Sequence, residues 1–379
     1  MSAKYGGGCM RERPLKAERP GDLVKELMTV RGWSQAELAY VLGVTSATVN
    51  QVVNSKRPIT PEMAKLLGRA FEYPPETFLD LQARWSLANV PEPDAEVGAR
   101  AFAQSTYPLR EMVKRGWISD PSTGGGAHVE LCRFFGVNSL DSVAHLGHAA
   151  KKTSDAAPTG AQLAWLYRVR AIAKEMPTPP YSKAKLRDAI ERLSLMRESP
   201  EETRHVARLL HEAGVRFVVV EGLPGGRIDG VCTWLDEGSP VIGLSLRFDR
   251  VDNFWFVLRH ECAHVAHGHG KTVAIIDSDI NPADVDISEE ERIANEEAAE
   301  FCVPREKLRS FYVRKNPFFS DLDVQAFAKI NRVHPGIVVG QLQHLTGQFK
   351  ILRQHLVSVR KFITSSAMTD GWGEFINVD

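Results

Sequence analysis

Between Gly21 and about Gln82 the apolar positions come in short bursts at three- and four-residue spacing, the period of a helix with one buried face. Each burst meets a stop, at Gly32, at Gly43 before Val44, at Asn54 and at Pro58 to Pro61, so the stretch predicts a compact unit of short helices. A Pro-, Ala- and Gly-rich stretch from Asn89 through Pro93 to Gly98 then reads as a linker, and Ser119 to Gly126 (SDPSTGGG) as a flexible loop. Helical spacing returns in Ala161 to Ala173 and in Lys183 to Met196, neither of which carries a chemical motif. From Glu201 the pattern changes. A helix through His211 stops at Gly214, and Arg216 to Val220, Val231 to Leu235 and Val241 to Leu246 read as strands parted by turn signals. A small sheet therefore precedes an apolar helix that includes Phe254 to Ala266. No internal repeat is visible.

A chain of 379 residues is too long for one average core, so two or three domains are expected. The pattern divides them as 14–84, a helical unit; 85–200, a helical linker or middle region; 201–349, an α+β domain; and 350–379, a tail, with mainly α structure throughout. The 25% charged and 43% hydrophobic residues are those of a soluble globular protein, and a formal net charge of +0 excludes a global pull toward nucleic acid or membrane. Charge is local instead. Asp277 to Glu290 holds Asp277, Asp279, Asp284, Asp286, Glu289 and Glu290 without a Lys or Arg, while Arg305 to Lys361 is basic and reads as a solvated face. The five cysteines, Cys9, Cys132, Cys232, Cys262 and Cys302, form no CxxC pair and suit unpaired thiols in a reducing compartment. No apolar run approaches the roughly 18 residues of a membrane span, and Met1 to Pro20 lacks the apolar core of a secretory signal, so a cytoplasmic location is expected.

Within Gln35 to Val52 (QAELAYVLGVTSATVNQV), Ala39 is small where two helices would cross, Gly43 sits at the turn, and Val44, Val49 and Val52 supply the apolar face of the second helix. Ser46, Ala47, Thr48, Asn50 and Gln51 are left outward, and Asn and Gln can bond adenine bidentately in the major groove. Arg31, Lys56 and Arg57 flank this face and could meet phosphates. The plain alternative is a helical hairpin with a solvated face. The run from Gly32 to Gln82 resembles the lambda-repressor-like (XRE) domain of HigA-type antitoxins, which implies a five-helix fold, operator double-stranded DNA as a partner, a cognate toxin and a homodimer. By the same resemblance Gln35 begins the first motif helix and touches phosphate, while Ser46, Thr48, Asn50 and Gln51 lie on the reading helix.

The segment His260-Glu261-Cys262-Ala263-His264 spaces two histidines by four, so that on a helix they leave one face about 6 Å apart along the axis and can share one tetrahedral zinc ion. Glu261, one position round, is placed to take a proton from a water held there. His267 lies about 10 Å along the axis from His260, too far for both to ligate, and His267 and His269 read as capping or surface residues. A third ligand must come from another element. Glu291 is the choice, on a helix where Ala294 and Ala298 allow close approach, with Glu297 as the substitute and Asn295 as an outer partner for a ligating histidine. Cys262 reads as a small buried residue rather than a redox group. His334 is a weak candidate for an oxyanion donor.

FWFVLRHECAHVAHGH followed by ERIANEEAAEFCVP resembles the ImmA/IrrE family of zinc peptidases, with similarity over about Leu210 to Leu345. The resemblance implies a zincin-like fold and a third ligand from a Glu-x-x-Ala-Asn segment ending in proline, matched here by Glu291 to Asn295 and Pro304. Glu297 stands where that family commonly has an aromatic residue, and Cys302 where it has an aliphatic one. The expected function is a DNA-binding regulator or antitoxin-like protein carrying a zinc endopeptidase that cuts a partner protein or its own chain. The alternative is a repressor whose zinc domain is a sensor or a structural module.

Overall fold

The computed structural model describes residues 18–94, 96–121, 126–140, 142–143, 150–152, 157–271, 273–278 and 288–377. The expectations placed on Cys9, on the stretch before Glu18, on the glycines of the 119–126 loop and on Asp279, Asp284 and Asp286 of the acidic run lie wholly or partly outside the described residues. The chain divides into two compact units, Met1–Ala95 and Glu96–Asp379.

The smaller unit has five helices: α1 (Pro20–Arg31), α2 (Gln35–Leu42), α3 (Ser46–Val53), α4 (Pro61–Phe71) and α5 (Pro75–Ala88). Their ends are set by local chemistry. Gly32 and Gly43 take the left-handed conformation that closes α1 and α2, at φ 68° and 67°. Ser34 and Glu37 form a capping box on α2, Thr45 caps α3 and Thr60 caps α4. Leu23, Val24, Leu38, Val49, Val52, Leu67 and Phe78 fill the core. The boundary expected after residue 84 falls inside α5, whose last turn continues to Ala88.

The larger unit continues with α6 (Glu96–Thr106), α7 (Leu109–Lys114), α8 (Gly126–Phe135), β1 (Ala150–Lys152), α9 (Gly160–Lys174), α10 (Lys183–Ser194), α11 (Val206–Glu212), β2 (Arg216–Val220), β3 (Ile228–Trp234) and β4 (Pro240–Leu244). It ends with α12 (Val251–His267), β5 (Ala274–Ser278), α13 (Glu289–Cys302), α14 (Arg305–Lys315), α15 (Asp321–Asn331), α16 (Pro335–Thr346), α17 (Arg360–Ile363) and β6 (Met368–Asp370). The strands form one sheet in the order β1-β5-β3-β4-β2-β6, in which β3 runs antiparallel to both neighbours and the other pairings are parallel.

Every residue of β3 and β4 is buried, because the sheet is covered on both faces. Side chains alternate across it: Phe217, Val219, Cys232, Ile242 and Leu244 join the core on the α12 side, and Val218, Val220, Val231, Val241 and Ile276 the core on the α9 side. Two sequence expectations change as a result. The middle region is not a separate linker: α9 lays Trp165, Val169 and Ile172 on the sheet, and a Cβ at Gly243 would stand 2.8 Å from Val169 Cγ1. Nor is 350–379 a tail. Strand β6 pairs with β2, and fully buried Asp370 accepts hydrogen bonds from Trp117 Nε1 and Arg168 Nε, both at 2.9 Å. A two-faced apolar sheet needs cover from outside the 201–349 segment, and the flanking segments provide it. Among the described residues no helix is long and apolar enough to cross a membrane.

Asp370→Ala would leave Arg168 buried without its carboxylate, a loss of about 3–5 kcal/mol. The expected outcome is a lower urea midpoint for the larger unit, followed by tryptophan fluorescence; an unchanged midpoint would show that β6 adds nothing to the core.

Candidate metal centre and nucleic-acid interface

Helix α12 is apolar around most of its circumference, with Phe254, Trp255, Val257, Leu258, Cys262 and Val265 buried, and Gly268 in the left-handed conformation ends it. That environment fixes His260, Glu261 and His264 in the interior, all three at 0% exposure. His260 Nε2 lies 3.0 Å from His264 Nε2, as expected for two ligands four residues apart on one face. Glu291 arrives from α13, where Ser288 caps the helix and fully buried Ala294 and Ala298 let its backbone approach. Its carboxylate oxygens stand 3.3 Å from His260 Nε2 and 3.4 Å from His264 Nε2.

A fourth group, overlooked in the sequence, completes the cluster. Asp277, near the end of β5, is fully buried with Oδ2 3.2 Å from His260 Nε2. One ligand atom from each of His260, His264, Asp277 and Glu291 lies within 4.8 Å of all the others. Register explains its arrival: Asp277 pairs with Gly230 of β3, on the sheet face toward α12. A Cβ at Gly230 would stand 2.1 Å from Glu261 Oε1, so only glycine leaves room for that carboxylate. The signal available in the sequence was an acid closing the apolar run Val273 to Ile276. It was masked by the acidic residues that follow.

The arrangement suits a divalent cation. Ligand atoms at 2.0–2.1 Å from a tetrahedral zinc are spaced about 3.3 Å apart, and the distances above run from 3.0 to 3.4 Å. Among the described residues neither carboxylate oxygen of Glu261 meets a hydrogen-bond donor. Electrostatics agree. Burial opposes charge on His260, yet Asp277 and Glu291 hold its pKa up at about 10. His264 is pushed down to about 3 by burial. Burial and then the Asp277 charge raise Glu261 well above the usual carboxylate range, and burial likewise raises Glu291. Asp277 is held low despite its burial, by His260.

The remaining predicted residues fall around this core. His264 Nδ1 is 3.0 Å from Nδ1 of half-buried His269, which makes His269 an orienting partner rather than a surface residue. His267 Nε2 lies 2.8 Å from Glu297 Oε1, and Arg259 Nη2 donates to Glu297 Oε2 at 2.5 Å, so Glu297 ties α12 to α13 and is engaged away from the ligand set. Asn295 is buried, but among the described residues its Oδ1 accepts no hydrogen bond and His260 Nδ1 has none either, so the outer bond expected of Asn295 is not formed between them. His334 caps α16, its Nδ1 accepting from Gly336 N at 3.0 Å. Cys262 is buried and its thiol is pushed up to about 12 by that burial. Cys132, Cys232, Cys262 and Cys302 are all free thiols.

In the smaller unit Ser46, Asn50 and Gln51 are exposed on α3, with Thr48 half-buried beside its cap Thr45. Asn50 Nδ2 donates to Gln35 Oε1 at 3.1 Å, which joins the first residue of α2 to the outward face of α3. The chain after α3 folds back, Lys56 N and Arg57 N both donating to Gln51 O, so that two exposed cations flank the end of that helix.

Residues 24–78 match the helix-turn-helix family, and residues 211–325 match the IrrE N-terminal-like domain of peptidase family M78. Virulence-associated protein A' of Dichelobacter nodosus is 36% identical over 86 residues, which are 22% of this chain and 75% of that protein. The HTH-type transcriptional regulator YddM of Escherichia coli (strain K12) is 34% identical over 70 residues, 18% of this chain and 74% of its own length. The chain belongs to the helix-turn-helix family and carries an IrrE N-terminal-like domain. A solved structure of Pseudomonas aeruginosa antitoxin HigA with the higBA promoter is also similar, at 31% identity over 26% of this chain and 99% of that one, with a TM-score of 0.19.

The IrrE-like match spans all four clustered donors and Glu261, while α9 and β6 lie outside it and still complete its sheet. The two departures noted in the sequence have structural accounts. Glu297 is used by Arg259 and His267, and Cys302 is fully buried in the core beneath α13.

Ala298 is fully buried in the core on α13. Ala298→Leu is expected to cost about 1–3 kcal/mol through overpacking, read as a lower thermal midpoint of the larger unit. An unshifted midpoint would mean that the close approach of α12 and α13 is not needed.

Proposed function

We propose that the protein is a DNA-binding regulator whose IrrE-like domain is a zinc endopeptidase acting on a partner protein or on its own chain. Glu261 carries the enzymatic half of this reading. It is fully buried against Gly230, beside the clustered donors, and meets no hydrogen-bond donor among the described residues. Such a carboxylate adds nothing to a site that only holds metal. His260, His264 and Glu291 are the ligands in this reading, and two imidazoles with a carboxylate suit zinc.

His260, His264 and Glu291 would hold the zinc ion, which when bound would supply a Lewis acid to polarise a peptide carbonyl and acidify a water. Glu261 then accepts the proton at its carboxylate and returns it to the leaving amine. Its raised pKa matches that exchange, since burial and the neighbouring Asp277 make proton uptake easier. His269 holds His264 in orientation through Nδ1, and the Arg259–Glu297–His267 group keeps α13, and with it Glu291, in register with α12.

The regulatory half rests on the helix-turn-helix family and on the likeness to a protein named as an HTH-type transcriptional regulator. Ser46, Thr48, Asn50 and Gln51 read bases in the major groove, and Gln35, Lys56 and Arg57 meet phosphates. Two copies bind one operator, matching a two-fold site. The sensor or structural alternative draws on one observation, the presence of Asp277 as a fourth donor.

Glu261→Gln should keep the zinc content of the wild type while cleavage of the substrate protein falls by roughly 10²–10⁴-fold. Equal cleavage by both forms would remove Glu261 from the chemistry, and zinc-free wild-type protein would remove the metal. In a mobility-shift assay on promoter DNA, Asn50→Ala with Gln51→Ala should abolish sequence preference, and neutralising Lys56 and Arg57 should flatten the salt dependence by about 0.9 for each phosphate left without its cation. Binding that ignores all four changes would refute this face as the reader.

A further inference from the structure

We infer that Asp277 is a protein ligand of the same ion, so that the resting centre is closed by four side chains and strand β5 must shift to open it. The inference rests on the metal reading above and deepens it.

The atoms involved separate a ligand from a supporting group. A carboxylate that orients a ligating histidine meets the ring nitrogen turned away from the metal. Asp277 Oδ2 instead lies 3.2 Å from His260 Nε2, the nitrogen that also faces His264 Nε2 at 3.0 Å and Glu291 Oε2 at 3.3 Å. Asp277 thus stands on the metal side of His260, at a spacing from that nitrogen that suits two ligands of one ion, with all four donor atoms within 4.8 Å of one another. Charge leads to the same place. Two neutral imidazoles and two carboxylates balance a divalent cation, and balance matters at residues that are 0% to 4% exposed.

Four protein ligands make a closed site, whereas hydrolysis needs one position left to water. In the closed form Asp277 occupies that position, and opening exchanges its carboxylate for a water molecule. The sheet adds a second barrier. Strand β5 is hydrogen-bonded along β3 from Ile228 to Cys232, the part that includes Gly230 under Glu261. An extended substrate adding to β3 beside the metal would need the backbone groups that β5 already uses. One strand therefore blocks both the ion and the nearest docking edge, and release of β5 would free both together.

The test is a crystal structure of the zinc-loaded full chain with the ion located by anomalous scattering, together with the zinc affinity of Asp277→Asn measured by chelator competition. Asp277 is expected to lie within about 2.0–2.2 Å of the ion alongside His260, His264 and Glu291. The asparagine variant should bind zinc at least roughly tenfold more weakly, and its cobalt form should gain an exchangeable water. An ion held by His260, His264 and Glu291 with solvent in the fourth position overturns the inference, as does unchanged affinity in Asp277→Asn. If the variant does not fold, the wild-type coordination decides alone. A zinc-treated wild type that holds no ion at this site overturns the metal reading itself, an outcome distinct from an ion with a solvent ligand.

Discussion

Three carboxylates and two imidazoles meet in an interior where all five residues are 0% to 4% exposed, and the larger unit is arranged around the cost of keeping them there. Charges taken out of water this far need compensation of several kcal/mol each. Within the chain only part of it is present. Asp277 and Glu291 raise the pKa of His260 against its burial, and burial raises that of Glu261. A divalent cation replaces these partial remedies with one stronger and better-placed charge, which makes metal binding and stability of the fold parts of the same balance.

Holding the groups together takes three elements that the sequence keeps apart. Helix α12 contributes the ligand pair and the base, α13 is brought close by Ala294 and Ala298, and β5 is aligned by its pairing with β3. These elements pack on or within a sheet that is apolar on both faces. Helix α9 and strand β6, far from the motif in sequence, are thus as necessary to the centre as its immediate neighbours.

This division explains what the sequence disclosed. Helical period, caps and glycine stops are local, so α1 to α4, α9, α10 and the strands β2 to β4 were legible within a few residues of their ends. The ligand pair was legible for the same reason, since four residues on a helix is a fixed geometry. Asp277 was not, because its place depends on a pairing with Gly230 that skips 46 positions of chain by their numbering, and because acidic neighbours made it look solvated. The joining of β6 to β2 is still less local. His269 was legible as a cap, and its backbone N–H does bond His264 O at 2.9 Å, but the helix ends at Gly268, and helical geometry no longer says where the next side chain points.

Residue type decided little inside the centre, while neighbours decided much. Glu261 and Glu291 have the same side chain, yet Glu291 faces two imidazole nitrogens and Glu261 faces a glycine and another carboxylate. Burial and the Asp277 charge raise the pKa of both carboxyls, but at Glu291 the imidazole of His260 opposes the rise. Asp277 shows the same logic at its other limit: His260 holds it ionised even though it is fully buried. Three acids in one cavity thereby acquire different chemistry, and the one set against the inward nitrogen of His260 is the one placed to hold the centre shut.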